Sequence, residues 1–203
     1  MPLQNRVNPF GELMAVPARG TFMGNRGGTI HNDNREIVRA YASRRWIACV
    51  LEFRGRHRVV MSPRLYTELF FLDEAVALAA GHRPCAECRR DHFNAFRNAW
   101  GSAKVTADEM DLELHAARID SKKQKVTYRE RVESLPEGSF VEIDGAAWLL
   151  WKDRLFRYSP GGYVDQRKKQ PELTVEVLTP APMVRCLRNG YKVSVHPSVE
   201  ASG

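Results

Sequence analysis

The sequence predicts an α+β protein: a helical and hairpin region carrying a Cys-x-x-Cys knuckle over residues 1–134, then a small β-rich region over residues 135–203. Three observations carry this. Ala75, Leu78 and Ala79 recur at helical spacing and stop at Gly81, a residue free to take the left-handed conformation that ends helices. Cys85 and Cys88 follow, ahead of a second stretch with Phe93, Phe96 and Trp100 on one helical face. After Leu135 the chain turns to short apolar runs parted by turn residues, as in a small β unit.

Composition narrows the function classes. With 203 residues, 43% hydrophobic and 27% charged, the chain can build the core of one large or two small domains. It has no apolar run long enough for a membrane span. Met1-Pro2-Leu3-Gln4-Asn5-Arg6 lacks the apolar segment of a secretion signal, so a cytoplasmic protein is expected. The net charge of +7 favours an anionic partner, nucleic acid above all, through phosphate neutralisation. The four cysteines are Cys49, Cys85, Cys88 and Cys186, and in a reducing compartment the Cys-x-x-Cys pair among them suggests metal or redox use rather than a structural disulfide.

Taken in order, the first 35 residues are rich in Gly, Asn and Arg, and Asn8-Pro9 and Val16-Pro17 break regular structure. Gly20, Gly24, Gly27 and Gly28 fall between Arg19 and His31. Such glycines let backbone amides approach an anion, with Arg19 and Arg26 to pair with phosphate; no Gly-Lys-Ser/Thr follows, so this is not a P-loop. The competing expectation is an ordinary Gly-rich turn between strands. His31, Asp33 and Glu36 are candidates for general-base or ligand chemistry, against a capped helix over Asn34 to Ala42.

Trp46 to Phe53 reads as a strand, Arg54-Gly55-Arg56 as a hairpin turn, and Val59 to Met61 as its return. Arg44, Arg45, Arg54, Arg56 and Arg58 beside Trp46 and Phe53 make the basic and aromatic mix of a nucleic-acid edge. Asp91 is placed to cap the helix His92 to Trp100. Residues 104–134 read as charged and helical, with Leu112, His115 and Ile119 on one side. His115 beside Arg118 is a further weak catalytic candidate, and Lys122-Lys123-Gln124-Lys125 reads as a solvated run. In the β-rich region the expected strands are Ser139 to Ile143, Ala147 to Trp151, Arg154 to Tyr158, Leu173 to Leu178 and Tyr191 to Val195, with a helix over Met183 to Arg188.

A Cys-x-x-Cys after Pro84 at the mouth of a helix lets two thiolates face one ion. The run Glu74-Ala75…Ala79-Ala80-Gly81-His82-Arg83-Pro84-Cys85-Ala86-Glu87-Cys88-Arg89 resembles the second half of the zinc-binding domain of the Ada methylated-DNA repair family. A similar knuckle ends some thermonuclease-like proteins. The resemblance implies Zn2+, with Cys85 and Cys88 as one ligand pair and Arg83 and Pro84 shaping the turn. The family's first cysteine pair has no counterpart here. His57, 28 residues before Cys85, and Cys49 stand in its place, with His82 and His92 as substitutes. The knuckle could instead be held by packing alone, or its two thiols could serve as a redox pair.

These features favour a nucleic-acid-binding protein, DNA before RNA, in repair or processing. Its contacts would come from Arg19, Arg26, Arg44, Arg45, Arg54, Arg56, Arg58, Arg83, Arg89 and Arg90. A second reading is an enzyme on nucleic acid or a nucleotide, using the Gly-rich loop with His31, Asp33 and Glu36. A third is an interaction protein whose β region recruits a partner through Trp148, Trp151 and Tyr163.

Overall fold

The computed structural model describes residues 1–55, 59–102 and 104–201. The N-terminal strands are β1 (Arg6–Val7), β2 (Leu13–Met14), β3 (Phe22–Arg26), β4 (Trp46–Cys49) and β5 (Leu69–Phe71). Then come α1 (Glu74–Ala79), β6 (Arg83–Pro84), α2 (Arg90–Ala99), α3 (Ala107–Arg118) and β7 (Tyr128–Arg131). The chain continues through β8 (Phe140–Ile143), β9 (Ala146–Trp151), β10 (Arg154–Ser159), β11 (Gly162–Lys168) and β12 (Thr174–Val177) to α4 (Ala181–Arg188) and α5 (Ser198–Ala201). The described residues thus form five α-helices and two six-stranded sheets, an α+β protein. No helix is long and apolar enough to cross a membrane among the described residues.

The first sheet runs β2-β1-β5-β3-β4-β6, with β1–β5 and β4–β6 parallel and its other pairs antiparallel. Its glycines serve close strand contact. A Cβ on Gly20 would meet the Phe71 carbonyl oxygen at 2.1 Å, and one on Gly24 the Ile47 carbonyl oxygen at 2.1 Å. The second sheet runs β11-β10-β9-β8-β12-β7, wholly antiparallel. Asp144 and Gly145, at φ 54° and 73°, make the tight β8–β9 turn whose twist matches the strands it joins.

Helix α1 is buried along its whole length. Small alanines let both sheets approach it, and one hydrophobic cluster joins Leu69 and Phe71 of the first sheet, Ala75 to Ala77 of α1, and Phe140, Leu149, Phe156 and Tyr163 of the second. Its carboxylates organise the far end of the chain. Asp73 caps the helix, accepting the Val76 N–H at 2.9 Å, the Tyr163 hydroxyl at 2.7 Å and the His196 N–H at 2.9 Å. Glu74 accepts the Tyr191 hydroxyl and the Ser194 N–H and pairs with Arg89 at 2.8 Å. A second cluster packs Phe93 and Phe96 of α2, Met110 and Leu114 of α3, and Met183 and Leu187 of α4.

Several elements depart from the sequence expectation. Asn34 to Ala42 is not a helix: the Asn32 side chain accepts the Asn34 and Glu36 N–H groups and Arg35 turns to φ 63°, so local Asn chemistry overrides helix formation. Between 104 and 134 the helix covers only α3, because Ile119 goes extended and Asp120 accepts the Lys122 and Gln124 N–H groups in a tight turn. Strand β7, N-terminal to residue 135, pairs with β12 in the second sheet. Val59 to Met61 and Tyr191 to Val195 are not strands. In the latter segment Ser194 donates its N–H to Glu74 in α1's first turn, and His196 beyond it donates to the capping Asp73, rather than to a sheet. Strand β11 has no clear sequence signal; its run Gly-Tyr-Val-Asp-Gln-Arg-Lys is too polar to announce itself.

Candidate metal centre

Three sulfurs meet where β4, β6 and α2 converge. Strand β4 ends on Cys49. Strand β6 runs parallel beside it, Ile47 opposite Arg83 and Ala48 opposite Pro84, and the Cys85 N–H donates to the Ala48 carbonyl at 2.9 Å. That pairing sets Cys85 next to Cys49. The turn into α2 then folds Cys88 back, with the Glu87 N–H donating to Cys85 Sγ at 3.4 Å. The ligand atoms of Cys49, Cys85 and Cys88 lie within 4.8 Å of one another.

Two buried ion pairs clamp this turn. Arg83 grips Asp111 of α3 in bidentate fashion, at 2.9 and 2.8 Å, over the Phe93 ring. Arg89 pairs with Glu74 at 2.8 Å over the Phe22 ring. Phosphates cannot use these guanidinium groups, because both are interior and already neutralised. Arg26 is interior too, its guanidinium over Trp46 at 4.1 Å.

The electrostatics favour a cation. Hydrogen bonds from the Cys49 and Cys88 thiols pull Cys85 far below an ordinary thiol, helped by the Cys88 and Glu87 N–H groups and opposed by burial. Cys49 is pushed up, first by its bond to Cys85 and then by its bond to Cys88 and by burial. For Cys88 the Cys49 bond lowers the value, but the Cys85 bond and burial outweigh it. Cys85 is thus the thiol of the trio readiest to ionise, and a soft divalent cation would allow all three to do so. Tetrahedral zinc thiolates place neighbouring sulfurs about 3.8 Å apart, a spacing that this cluster accommodates. The three cysteines could hold a metal ion.

The cluster opens on a cleft of about 680 Å³ lined also by Arg19, Asn25, Glu52, Phe53, Tyr66, Glu68 and Glu87. Glu68 is 2% exposed; its Oε2 accepts the Met61 N–H at 2.7 Å, while its Oε1 is buried with no hydrogen-bond partner among the described residues. Sequence inspection missed it, since a lone Glu before Leu69-Phe70-Phe71 carries no motif.

The remaining candidates scatter. His57, with Arg56 and Arg58, lies outside the described residues. His82 is fully buried against Trp46 and Phe71, and His92 is exposed beside Tyr191; neither joins the sulfur group. His31 is a latch: Nδ1 meets Thr67 Oγ1 at 2.6 Å and Nε2 the Ser62 carbonyl at 3.2 Å. Asp33 and Glu36 are exposed, and Glu36 accepts from Asn32 at 2.8 Å. His115 packs edge-on to Tyr41, its Nδ1 3.0 Å from Arg118, and burial followed by the charges of Arg118 and Arg44 lowers its pKa. None of His31, Asp33, Glu36 and His115 lines the sulfur cleft. Arg44 and Arg45 are exposed, Arg45 pairing with Asp108 at 3.1 Å. Arg19 lines the cleft, Arg54 lies over Phe53 at 4.9 Å, and Arg90 lines a groove with Cys88; all three are exposed. Trp148 and Tyr163 are buried and Trp151 is half-buried. No protein-family model, curated protein or solved structure matches the chain.

Proposed function

We propose that the protein binds nucleic acid, DNA in the first instance, at a face organised by Zn2+ on Cys49, Cys85 and Cys88. One observation carries this reading: the three-sulfur cluster shares its cleft with exposed Arg19 and a groove at Cys88 with exposed Arg90, and exposed Arg54 lies over Phe53, which lines the cleft. The resemblance of the knuckle to the Ada zinc domain and the net charge of +7 point the same way. Bound zinc would offset the thiolate charge and lock the turn between β6 and α2. The chain's own part is to hold the sulfurs through Arg83–Asp111 and Arg89–Glu74 and to offer the rim guanidiniums to phosphates.

Fluorescence anisotropy with duplex and single-stranded DNA tests this. Affinity should fall steeply as salt rises, and each of Arg19→Ala, Arg54→Ala and Arg90→Ala should flatten the log–log salt slope by about 1 if its side chain meets a phosphate. Binding indifferent to salt, or absent at low salt, removes the proposal. Metal analysis should find one zinc per chain, released in Cys85→Ser. A second reading, an enzyme on nucleic acid, is favoured by one feature: the buried Glu68, one carboxylate oxygen of which has no hydrogen-bond partner among the described residues, lines the cavity that holds the sulfurs. Under that reading Glu68→Gln loses turnover of a nucleic-acid substrate and keeps binding.

A further inference from the structure

A second cavity, of about 380 Å³, opens where the C-terminal end of α3 and the turn after it meet both sheets. Three cations line it: Arg26 from β3, Arg118 from the last turn of α3, and Lys125. Arg26 is 4% and Arg118 2% exposed. Among the described residues their hydrogen-bond partners are all neutral. Arg26 donates to the Gly11 carbonyl at 2.7 Å and, more weakly, to the Ala40 carbonyl and His82 Nε2, each at 3.4 Å. Arg118 donates to the Gly81 carbonyl at 2.9 Å and the Arg44 carbonyl at 2.6 Å, and approaches His115 Nδ1 at 3.0 Å. Lys125 Nζ donates to the Ala79 carbonyl at 2.7 Å. Arg118 Nε is buried with no hydrogen-bond partner among the described residues.

Arg83 and Arg89 make the contrast. This fold buries those two cations as well, and closes a carboxylate on each at 2.8 Å. Asp111, the acid whose charge reaches Arg118, is already engaged by Arg83. The cavity's own acids do not pair with the three cations among the described residues: Glu12 is exposed and accepts from Asn8 at 2.7 Å, and Glu142 is half-buried on β8. Lys123 adds a fourth positive side chain at the opening. Each guanidinium lies over the Trp46 indole, 4.1 Å from its centroid, so their positions are set before any ligand arrives. Buried charge without a counter-charge is costly, and a preformed, cation-lined cavity of this size suits a small anion.

We propose that Arg26, Arg118 and Lys125 form a binding site for a small ligand bearing a tetrahedral dianion, a phosphate group by chemical class. The site faces away from the cysteine cleft and shares no lining residue with it. Inorganic phosphate and a nucleoside monophosphate carry the same headgroup, and their affinities separate a free-anion site from one that also holds what the phosphate is attached to.

Calorimetric titration of the full chain with inorganic phosphate, inorganic sulfate and adenosine monophosphate, at constant ionic strength set with chloride, tests it. Saturable binding at one site per chain is expected, weakened tenfold or more in Lys125→Met, which keeps the stem and drops the charge. Lys123→Ala, at the opening, should weaken it less. Sulfate adds a pH readout because its charge is constant near neutrality. Burial, then the charge of Arg26, pulls Lys125 down to about 7, so sulfate affinity should fall as pH rises through that value, and Lys125→Met should abolish the trend. The charged groups around Lys125 are Arg26, Arg118, Lys123, Glu12 and Glu142, with His82 beyond Arg26 held neutral by burial. Tighter binding of the nucleotide than of phosphate supports the site and extends its ligand. Absence of saturable binding by all three anions overturns it, as does binding that a folded Lys125→Met protein retains in full.

Discussion

At the scale of single residues, two groups carry charge under unusual constraint. Hydrogen bonds from its two neighbours hold Cys85 below an ordinary thiol, while Cys49 and Cys88 are held above it, so those two take protons first on acidification. Metal held by the trio should therefore be released on acidification, read as zinc freed to a chromogenic chelator. Lys125 has the opposite sign. Its folded value of about 7 lies below the ordinary 10.5. Below pH 7 both folded and unfolded chains carry the proton and the full cost of burying it applies. Between about 7 and 10.5 only the unfolded chain binds it, so stability rises with pH across that window. Lys125→Met should flatten that rise and raise Tm at pH 6 by about 3 °C, corresponding to ~1 kcal/mol, by scanning calorimetry without added anion. Burial also presses Arg26 and Arg118 down toward about 9. A guanidinium nevertheless keeps its proton, so there the cost remains as unneutralised charge.

At the scale of elements, the turn from α1 into β6 decides the geometry of the centre. Gly81 sits at φ +84°, and a Cβ there would meet Arg118 Cδ at 2.6 Å. Gly81→Ala should cost roughly 1–3 kcal/mol in chemical denaturation, from the left-handed backbone and the crowded guanidinium stem together. The Arg83–Asp111 clamp ties β6 to α3. Asp111→Asn should destabilise by about 3–5 kcal/mol, since it strands a buried guanidinium, whereas Arg83→Met with Asp111→Leu should recover much of the loss. Equal losses in the single and double variants would mean that packing rather than charge holds the joint. Helix α1 and its Gly stop were legible in sequence because periodicity and a stop glycine are local signals. The end of α3 was not, because Asp120 builds its turn from side-chain chemistry that a charged run conceals.

At the scale of the whole molecule, the two sheets share one core through α1. Phe140, Leu149, Phe156 and Tyr163 cover a helix that belongs to the first half of the chain, and Asp73 and Glu74 hold residues 191–196. Calorimetry should accordingly show one cooperative transition, and residues 1–134 expressed alone should not give a folded protein. Two resolved transitions would show separable bodies.

By itself the sequence determined the helix before the knuckle, the Cys-x-x-Cys pair at its exit, the turn-parted strands after residue 135 and the excess of positive charge, since each is written in residues close together along the chain. Only the tertiary structure decided that Cys49 completes the sulfur cluster, that Arg26, Arg83 and Arg89 are interior while Arg19, Arg54 and Arg90 face solvent, and that three cations share one cavity. The physical reason is that a charge is defined by its partner. The partners here lie far apart in the chain: Asp111 for Arg83, Glu74 with Tyr191, and the carbonyls of Gly11 and Gly81 for Arg26 and Arg118.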